Sequence, residues 1–311
     1  MFEAMPHKDP WVRLGDAAAT RTSDEFVERI RLFGVPAAAV PEHVPNVEVP
    51  WKALRITGAL AGASLDGALV VDLSSLWAGP LCGQILGRAG ARVVKVESAR
   101  RPDGARAGEP RLFDWLHAGQ ESVAVDFTLA QDRASVADLI RSADFVIEAS
   151  RPRALAQLGL SHDQLDLRAG TVWVSITGYG RGRPDLVAFG DDAAAAGGLL
   201  ARSRCGPVFC ADAIADPLTG VIAALAAVAS RAAGGGHLLD VAMSQVAAAF
   251  AGAELGCSGT HRIDRRRTSW FVRCVRSGDE QRVLGPRAPE LTGHARRLGA
   301  DNDRWLARSS A

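Results

Sequence analysis

The sequence predicts an α/β fold: a Rossmann-like, mainly parallel sheet with helices on both faces, preceded by a reduced small N-terminal element. Three observations carry this expectation. Short valine-rich apolar runs recur ("GALVVDL", "ARVVKVE", "SVAVDF", "DFVIEA", "TVWVSI"), each bounded by polar or glycine-containing loops. Near-continuous apolar runs of this kind suit strands buried on both faces of a parallel sheet. Helical stretches such as "PLCGQILGRAG" (80–90) and "LAQDRASVADLIRSA" (129–143) lie between them, and alternation of strand with helix implies a doubly wound sheet. The 311 residues, 48% hydrophobic and 23% charged, suffice for a sizeable buried core.

Taken in order, residues 1–65 read as a small helical leader and linker. In "TRTSDEFVERIRLFGVPAAAV", Ser23 and Asp24 give a cap signal, and Phe26, Ile30 and Phe33 follow at helical spacing. Gly34 and Pro36 end the helix, "AAAV" suits a short strand, and "PEHVPNVEVPW" reads as an extended linker. Residues 66–256 form the Rossmann-like domain with "GALVVDL" central. After residue 217 it continues through a helix, the strand "HLLDVAM" and another buried helix. Residues 257–311 read as a basic, irregular connection and a tail with a short helix.

Bulk numbers exclude several functions. Net charge is +1, with 36 basic and 35 acidic residues, so nucleic acid is not expected as a partner. The five cysteines are scattered, with no C-x-x-C pair, and the seven histidines are dispersed. Reduced thiols and no metal site are expected. The N-terminus lacks a signal-peptide core, and the weakly charged runs fall short of a membrane span of about 20 residues. A soluble, cytoplasmic protein is expected.

In an open parallel sheet, ligands bind beyond the carboxyl ends of the strands. The first such end is "DLSSLWAGP". Ser74 and Ser75 offer hydroxyls there, Gly79 permits close backbone approach and Pro80 suits a first helical turn. The segment lacks G-x-G-x-x-G, which disfavours a nicotinamide enzyme. The second end is "VKVESARRPDGAR": Glu97 suits a ribose hydroxyl, and Arg100, Arg101 and Arg106 suit phosphates. A capped turn and a solvated charged loop are the plainer readings of these two segments.

Several segments resemble, in the same order, the family III CoA-transferases, the group containing formyl-CoA transferase and alpha-methylacyl-CoA racemase. They are "VVDLSSLWAGPLCGQILGRAGARVVKVE", "DFVIEASRPRALAQLGL", "VSITGYGRGRPDLVAFGDDAAAAGGLL", "AIADPLTGVIAALAAVASR" and "GGGHLLDVAMSQVA", spanning roughly residues 66 to 250. The resemblance implies a Rossmann-like large domain and interlocked dimers, hence a homodimer or a heterodimer with a paralogue. It also implies CoA or acyl-CoA as substrate, with no prosthetic group. Its CoA-contacting loop falls on Ser75, Leu76, Trp77 and Ala78, next to Gly79, and a basic position on Arg151. The neighbouring Asn and aromatic positions of the family are Ala149 and Ser150 here.

The family's transferases attack a thioester with an aspartate, because both the anhydride and the thioester of a carboxylate remain exchangeable. Where the resemblance expects that aspartate, before Gly206–Pro207, this sequence has Cys205. Cys205, Asp212 or the Asp191–Asp192 pair are therefore the candidate catalytic groups, with Asp191 or Asp192 expected nearest the pocket. In the racemase pattern Asp191 takes a histidine's place and Asp216 matches the second proton carrier. Asp216 also reads as the cap of a helix opening at Pro217, a role whose loss costs about 0.5–2 kcal/mol. The family's small domain is reduced to a few dozen residues, and "TRTSDEFVERIRLFGVPAAAV" resembles a piece found late in it. The resemblance implies movement of CoA between carboxylic acids; the alternatives are a non-catalytic CoA-binding or partner subunit of an active paralogue, or a racemase-like acyl-CoA enzyme.

Overall fold

The computed structural model of the chain describes residues 9–62, 64–253, 260–285, 287 and 289–306. Helices α1 (Pro10–Ala19) and α2 (Ser23–Arg31) precede strand β1 (Trp51–Arg55). Next come β2 (Leu69–Asp72), α3 (Ala78–Arg88), β3 (Arg92–Ser98), a 3-10 turn at Gly104–Ala107, α4 (Pro110–His117) and β4 (Glu121–Val125). They are followed by α5 (Ala130–Ser142), β5 (Phe145–Glu148), α6 (Pro152–Gln157) and β6 (Val172–Thr177). Then come α7 (Gly190–Ala196), β7 (Leu200–Ser203), β8 (Gly206–Phe209), α8 (Ala215–Ala232), β9 (His237–Ala242) and α9 (Met243–Ala251). Strands β10 (His261–Arg266), β11 (Ser269–Cys274), β12 (Glu280–Val283) and helix α10 (Asn302–Trp305) follow.

Seven strands form the central sheet in the order β1-β9-β6-β5-β2-β3-β4. All neighbours pair parallel except β1, which runs antiparallel to β9 from Trp51 opposite Val241 to Arg55 opposite His237. Alternate residues of the inner strands enter two separate cores. Val70, Val93, Phe145, Ile147, Val172 and Val174 pack with α3, α7, α8 and α9. Val71, Val94, Val146 and Trp173 pack with α5 and the segment after β5. Both faces are covered, which is why these strands read as unbroken apolar runs.

The five valine-rich runs are β2, β3, β4, β5 and β6, and "HLLDVAM" is β9. Strand β2 is interior, flanked by β5 and β3. Residues 51–55, read as part of the leader and linker, instead extend the sheet at its edge; mostly exposed and preceded by Pro50, they carry little apolar signal. "AAAV" (37–40) forms no strand. The expected cap at Ser23 and Asp24 sits one residue earlier: Thr22 and Glu25 form a reciprocal capping box. The basic stretch after 260 is not irregular but a three-stranded antiparallel sheet, β10-β11-β12. The boundary at 256/257 and Cys257 lie outside the described residues. Among the described residues, α8 is the one helix long and apolar enough to cross a membrane, and half of it is buried.

The topology fixes where a ligand fits. From β2 the chain moves outward through β3 and β4, then returns to β5 on the other side of β2. The loops leaving β2 and β5 therefore diverge, and a crevice opens between them at the switch point.

Candidate active site

Two adjoining cavities, of about 980 and 140 Å3, occupy that crevice, and both are lined by Ser75, Leu76, Ala149, Ser150 and Arg151. The larger extends along Glu97, Ser98, Arg101 and Gly104 toward α6. The smaller runs under the β6–α7 loop to Ile176, Thr177, Phe189, Met243 and Asp216.

The β2–α3 loop is shaped by short-range constraints. Asp72, fully buried, accepts from the Ser74 amide at 2.9 Å and from the Ser74 hydroxyl. Gly79 lies against Ser74 so closely that a Cβ there would overlap the serine side chain. Leu76 has a left-handed backbone, φ 72°, which a branched side chain adopts only when its surroundings impose it.

The expected ligand residues separate. Ser75, Leu76 and Arg151 stand at the junction of the cavities, and Ala78 lines the smaller one. Gly79 is buried in the first turn of α3. Trp77 precedes α3 and lines neither cavity; its indole Nε1 is buried without a partner. Arg101 lines the larger cavity, whereas Arg100 turns to the surface and pairs with Asp126 at 2.8 Å. Glu97 borders that cavity but is already engaged. It holds Arg106 at 2.6 Å and accepts from the Asp103 amide at 3.0 Å. Burial pushes its carboxyl up, but Arg106, Lys95 and that amide outweigh burial and leave it below its usual range. Arg151 has no ion-pair partner among the described residues.

The expected catalytic groups fall elsewhere. Cys205 is exposed at the tip of the β7–β8 hairpin, and Asp212 is exposed in the turn before α8. The 199–217 segment is thus a hairpin and a turn that leads into α8. Asp191 accepts from the Ala213 amide at 2.9 Å. Asp192 accepts from the Phe189 amide at 2.6 Å and the Tyr179 hydroxyl at 3.0 Å. None of these four lines the smaller cavity.

The carboxylate that does line it is Asp216, alone among the described residues. It stands in the first turn of α8 and accepts from the backbone amides of Ala78 and Gly190, at the starts of α3 and α7. It therefore caps two neighbouring helices rather than its own. Burial raises its pKa to about 6; those two amides oppose the shift, and Asp192 and Asp191 add to it. Its sequence signal, an aspartate before proline at a helix start, is the ordinary signature of a cap, so only tertiary placement distinguishes it. Among the described residues no cluster of three or more His, Cys, Asp or Glu suits a metal.

Comparison with known proteins gives this geometry a context. Residues 65–292 match the CoA-transferase family III profile. The chain belongs to that family. An acyl-CoA transferase of Fusarium pseudograminearum is 34% identical over 216 residues, covering 61% of this chain and 47% of that protein. Succinyl-CoA–D-citramalate CoA-transferase of Chloroflexus aurantiacus is 30% identical over 194 residues, covering 57% and 48%. The chain thus spans about half the length of the curated relatives it matches. Among solved structures, a CAIB/BAIF family protein from Brucella suis superposes with a TM-score of 0.59 at 25% identity. It covers 70% of this chain and 66% of that one. The two cavities accordingly lie at the switch point of a CoA-transferase family III chain.

Proposed function

We propose that the crevice binds a CoA thioester and that Asp216 carries the acyl group during CoA transfer between carboxylic acids. The observation that supports this is a desolvated carboxylate, the one that lines the smaller cavity among the described residues, at the end of a cleft whose entrance holds Arg101 and Arg151, neither with an ion-pair partner among the described residues. The larger cavity suits the nucleotide, with Arg101 and Arg151 toward its phosphates. The smaller suits the thioester.

In the first step an Asp216 oxygen attacks the thioester carbonyl carbon and the C–S bond breaks, giving an acyl–aspartyl anhydride and CoA thiolate. The thiolate then attacks the aspartyl carbonyl, releasing the donor as a carboxylate and leaving an aspartyl–CoA thioester. An acceptor carboxylate attacks that thioester, forming a second anhydride and again freeing the thiolate. Attack of the thiolate on the new acyl carbonyl gives the product acyl-CoA and restores Asp216. No external proton, oxidant or metal enters this balance. A carboxyl with a pKa near 6 is ionised at neutral pH, and burial strips the water that would blunt its nucleophilicity. The amides of Ala78 and Gly190, which already hold the carboxyl, also orient it.

Mass spectrometry after exposure to a panel of acyl-CoAs tests the reading. A hydroxylamine-sensitive adduct on the peptide containing Asp216 is expected, and kcat/KM should rise as pH passes through about 6. A CoA-binding protein that forms no adduct with any acyl-CoA would instead be the non-catalytic subunit.

Two substitutions separate the roles of the residues. Arg151→Ala should weaken CoA binding by about 1 kcal/mol or more, the loss of one charge-assisted contact; unchanged calorimetric affinity removes Arg151 from the site. Cys205→Ser should leave exchange within about twofold of wild type, because an exposed surface substitution disturbs little. A large loss there would point to the hairpin thiol instead.

A further inference from the structure

One charged pair lies at the wall of the larger cavity and has no part in the chemistry above. Lys95 on β3 is buried to within 2% and forms an ion pair with Asp103 at 2.9 Å. Its ammonium also donates to the Ser74 carbonyl at 3.0 Å. The other Asp103 oxygen accepts from the Leu76 amide at 3.1 Å and the Ala105 amide at 3.0 Å. The Asp103 amide donates to Glu97, two residues beyond Lys95 on the same strand.

These bonds join the two walls of the larger cavity. One wall is the β2–α3 loop, with Ser75 and Leu76; the other is the segment carrying Arg101 and Gly104. Asp103 is the joint between them, and Lys95 anchors that joint to the sheet. The strained residue of the site, Leu76, is the one whose amide Asp103 receives. A buried ion pair contributes little net stability compared with well-packed apolar groups, so its placement points to geometry rather than to folding energy. Burial disfavours the charged form of Asp103, but Lys95 and the amides of Ala105 and Leu76 outweigh it, and the carboxyl stays ionised.

We infer that Lys95 and Asp103 form a buried strut that holds Leu76 left-handed and thereby sets the shape of the nucleotide-side cavity. They are positioning residues that act through the loop: Asp103 borders the cavity, but its carboxylate oxygens are turned to Lys95 and to the amides of Leu76 and Ala105. This rests on the reading of that cavity as the CoA site.

The experiment uses the full chain with CoA as the calorimetric probe. Lys95→Met combined with Asp103→Leu removes both charges of the pair together; the buried Asp72 carboxyl, on which Lys95 also acts, keeps its contacts with Ser74. Hydrogen exchange at Leu76 is followed in parallel. The expected result is a cooperatively folded protein whose Leu76 amide loses protection and whose CoA affinity falls about five- to thirtyfold, the equivalent of a left-handed penalty no longer offset. Adding Leu76→Gly to that double variant should recover part of the affinity, because glycine adopts positive φ without steric cost. A purely structural role would not produce this rescue. Wild-type affinity and wild-type protection in the double variant overturn the inference. If wild type itself binds no CoA, the CoA reading fails, while exchange at Leu76 still decides whether the strut holds the loop. Should the double variant not fold, Lys95→Gln with Asp103→Asn gives the same two readouts with smaller changes of shape.

Discussion

Asp216→Asn is expected to reduce CoA exchange by about a thousandfold or more, the scale seen when a covalent nucleophile is removed, while gaining stability relative to wild type as pH rises. The sign follows from linkage. The folded-state pKa of about 6 lies above the ordinary 3.8, so between these values the folded protein holds a proton that the unfolded chain has released. The associated stability is fully present below about pH 4 and is lost as pH rises through 6. Asparagine has no such titration. The stability difference between variant and wild type should therefore shift in the variant's favour by about 2 kcal/mol between pH 4 and pH 7.5, at ~1.4 kcal/mol per unit of displacement discounted for partial exposure. Urea unfolding of both proteins at the two pH values measures it. A pH-independent difference would mean that Asp216 is an ordinary cap, as its place before Pro217 suggests from sequence.

Gly190→Ala should be nearly as damaging, through space rather than chemistry. A Cβ at residue 190 would overlap both the Ala213 carbonyl and the Asp216 carboxylate. The carbonyl is the harder obstacle, because Ala213 has a left-handed backbone, φ 46°, and its amide is already held by Asp191. Overpacking against backbone costs about 3 kcal/mol, and any relief must push Asp216 away from its amides. Thermal unfolding together with exchange kinetics checks this. Combining Gly190→Ala with Asp216→Ala should restore little stability, since the Ala213 carbonyl remains in the way. Full recovery would mean that the carboxylate was the only obstacle.

The inner strands were legible because both of their faces are buried, which leaves runs such as "VVKV" and "FVIE" almost free of polar interruptions. Strand β1 carries little signal because most of its residues are exposed, and β10–β12 because β10 and β12 are exposed throughout and β11 buries only Cys274 fully, so no alternation marks the sheet. The entrance to the crevice was legible too: alternating strands and helices imply a switch point, which brings Ser75 and Arg151 together. The carboxylate was not. Asp216 differs from a routine cap only because α3 and α7 direct their first amides at it, and those lie 138 and 26 residues earlier in the chain. Cys205 drew attention through the Gly-Pro beside it, yet Gly206 and Pro207 serve a hairpin that carries the thiol outward. The Asp191–Asp192 pair opens α7, whose first amide Asp216 receives, but both side chains are turned to backbone amides.

The far edge of the sheet has a consequence of another kind. At β4 the outward backbone groups of Ser122 and Ala124 are not left open. The Ser122 amide donates to Asp301 at 2.8 Å, and its carbonyl accepts from the Asp301 amide at 2.9 Å. The Ala124 amide donates to the Asn302 side chain at 2.8 Å, and its carbonyl accepts from that side chain's nitrogen at 2.9 Å. The carboxamide of Asn302 thus answers β4 as another strand's peptide group would, without offering a further edge of its own. A bare β4, with valines at 123 and 125, would be a template for strands from other molecules. The contacts of these two residues, remote from the crevice, would then matter less for turnover than for keeping neighbouring molecules from stacking edge to edge into fibrils.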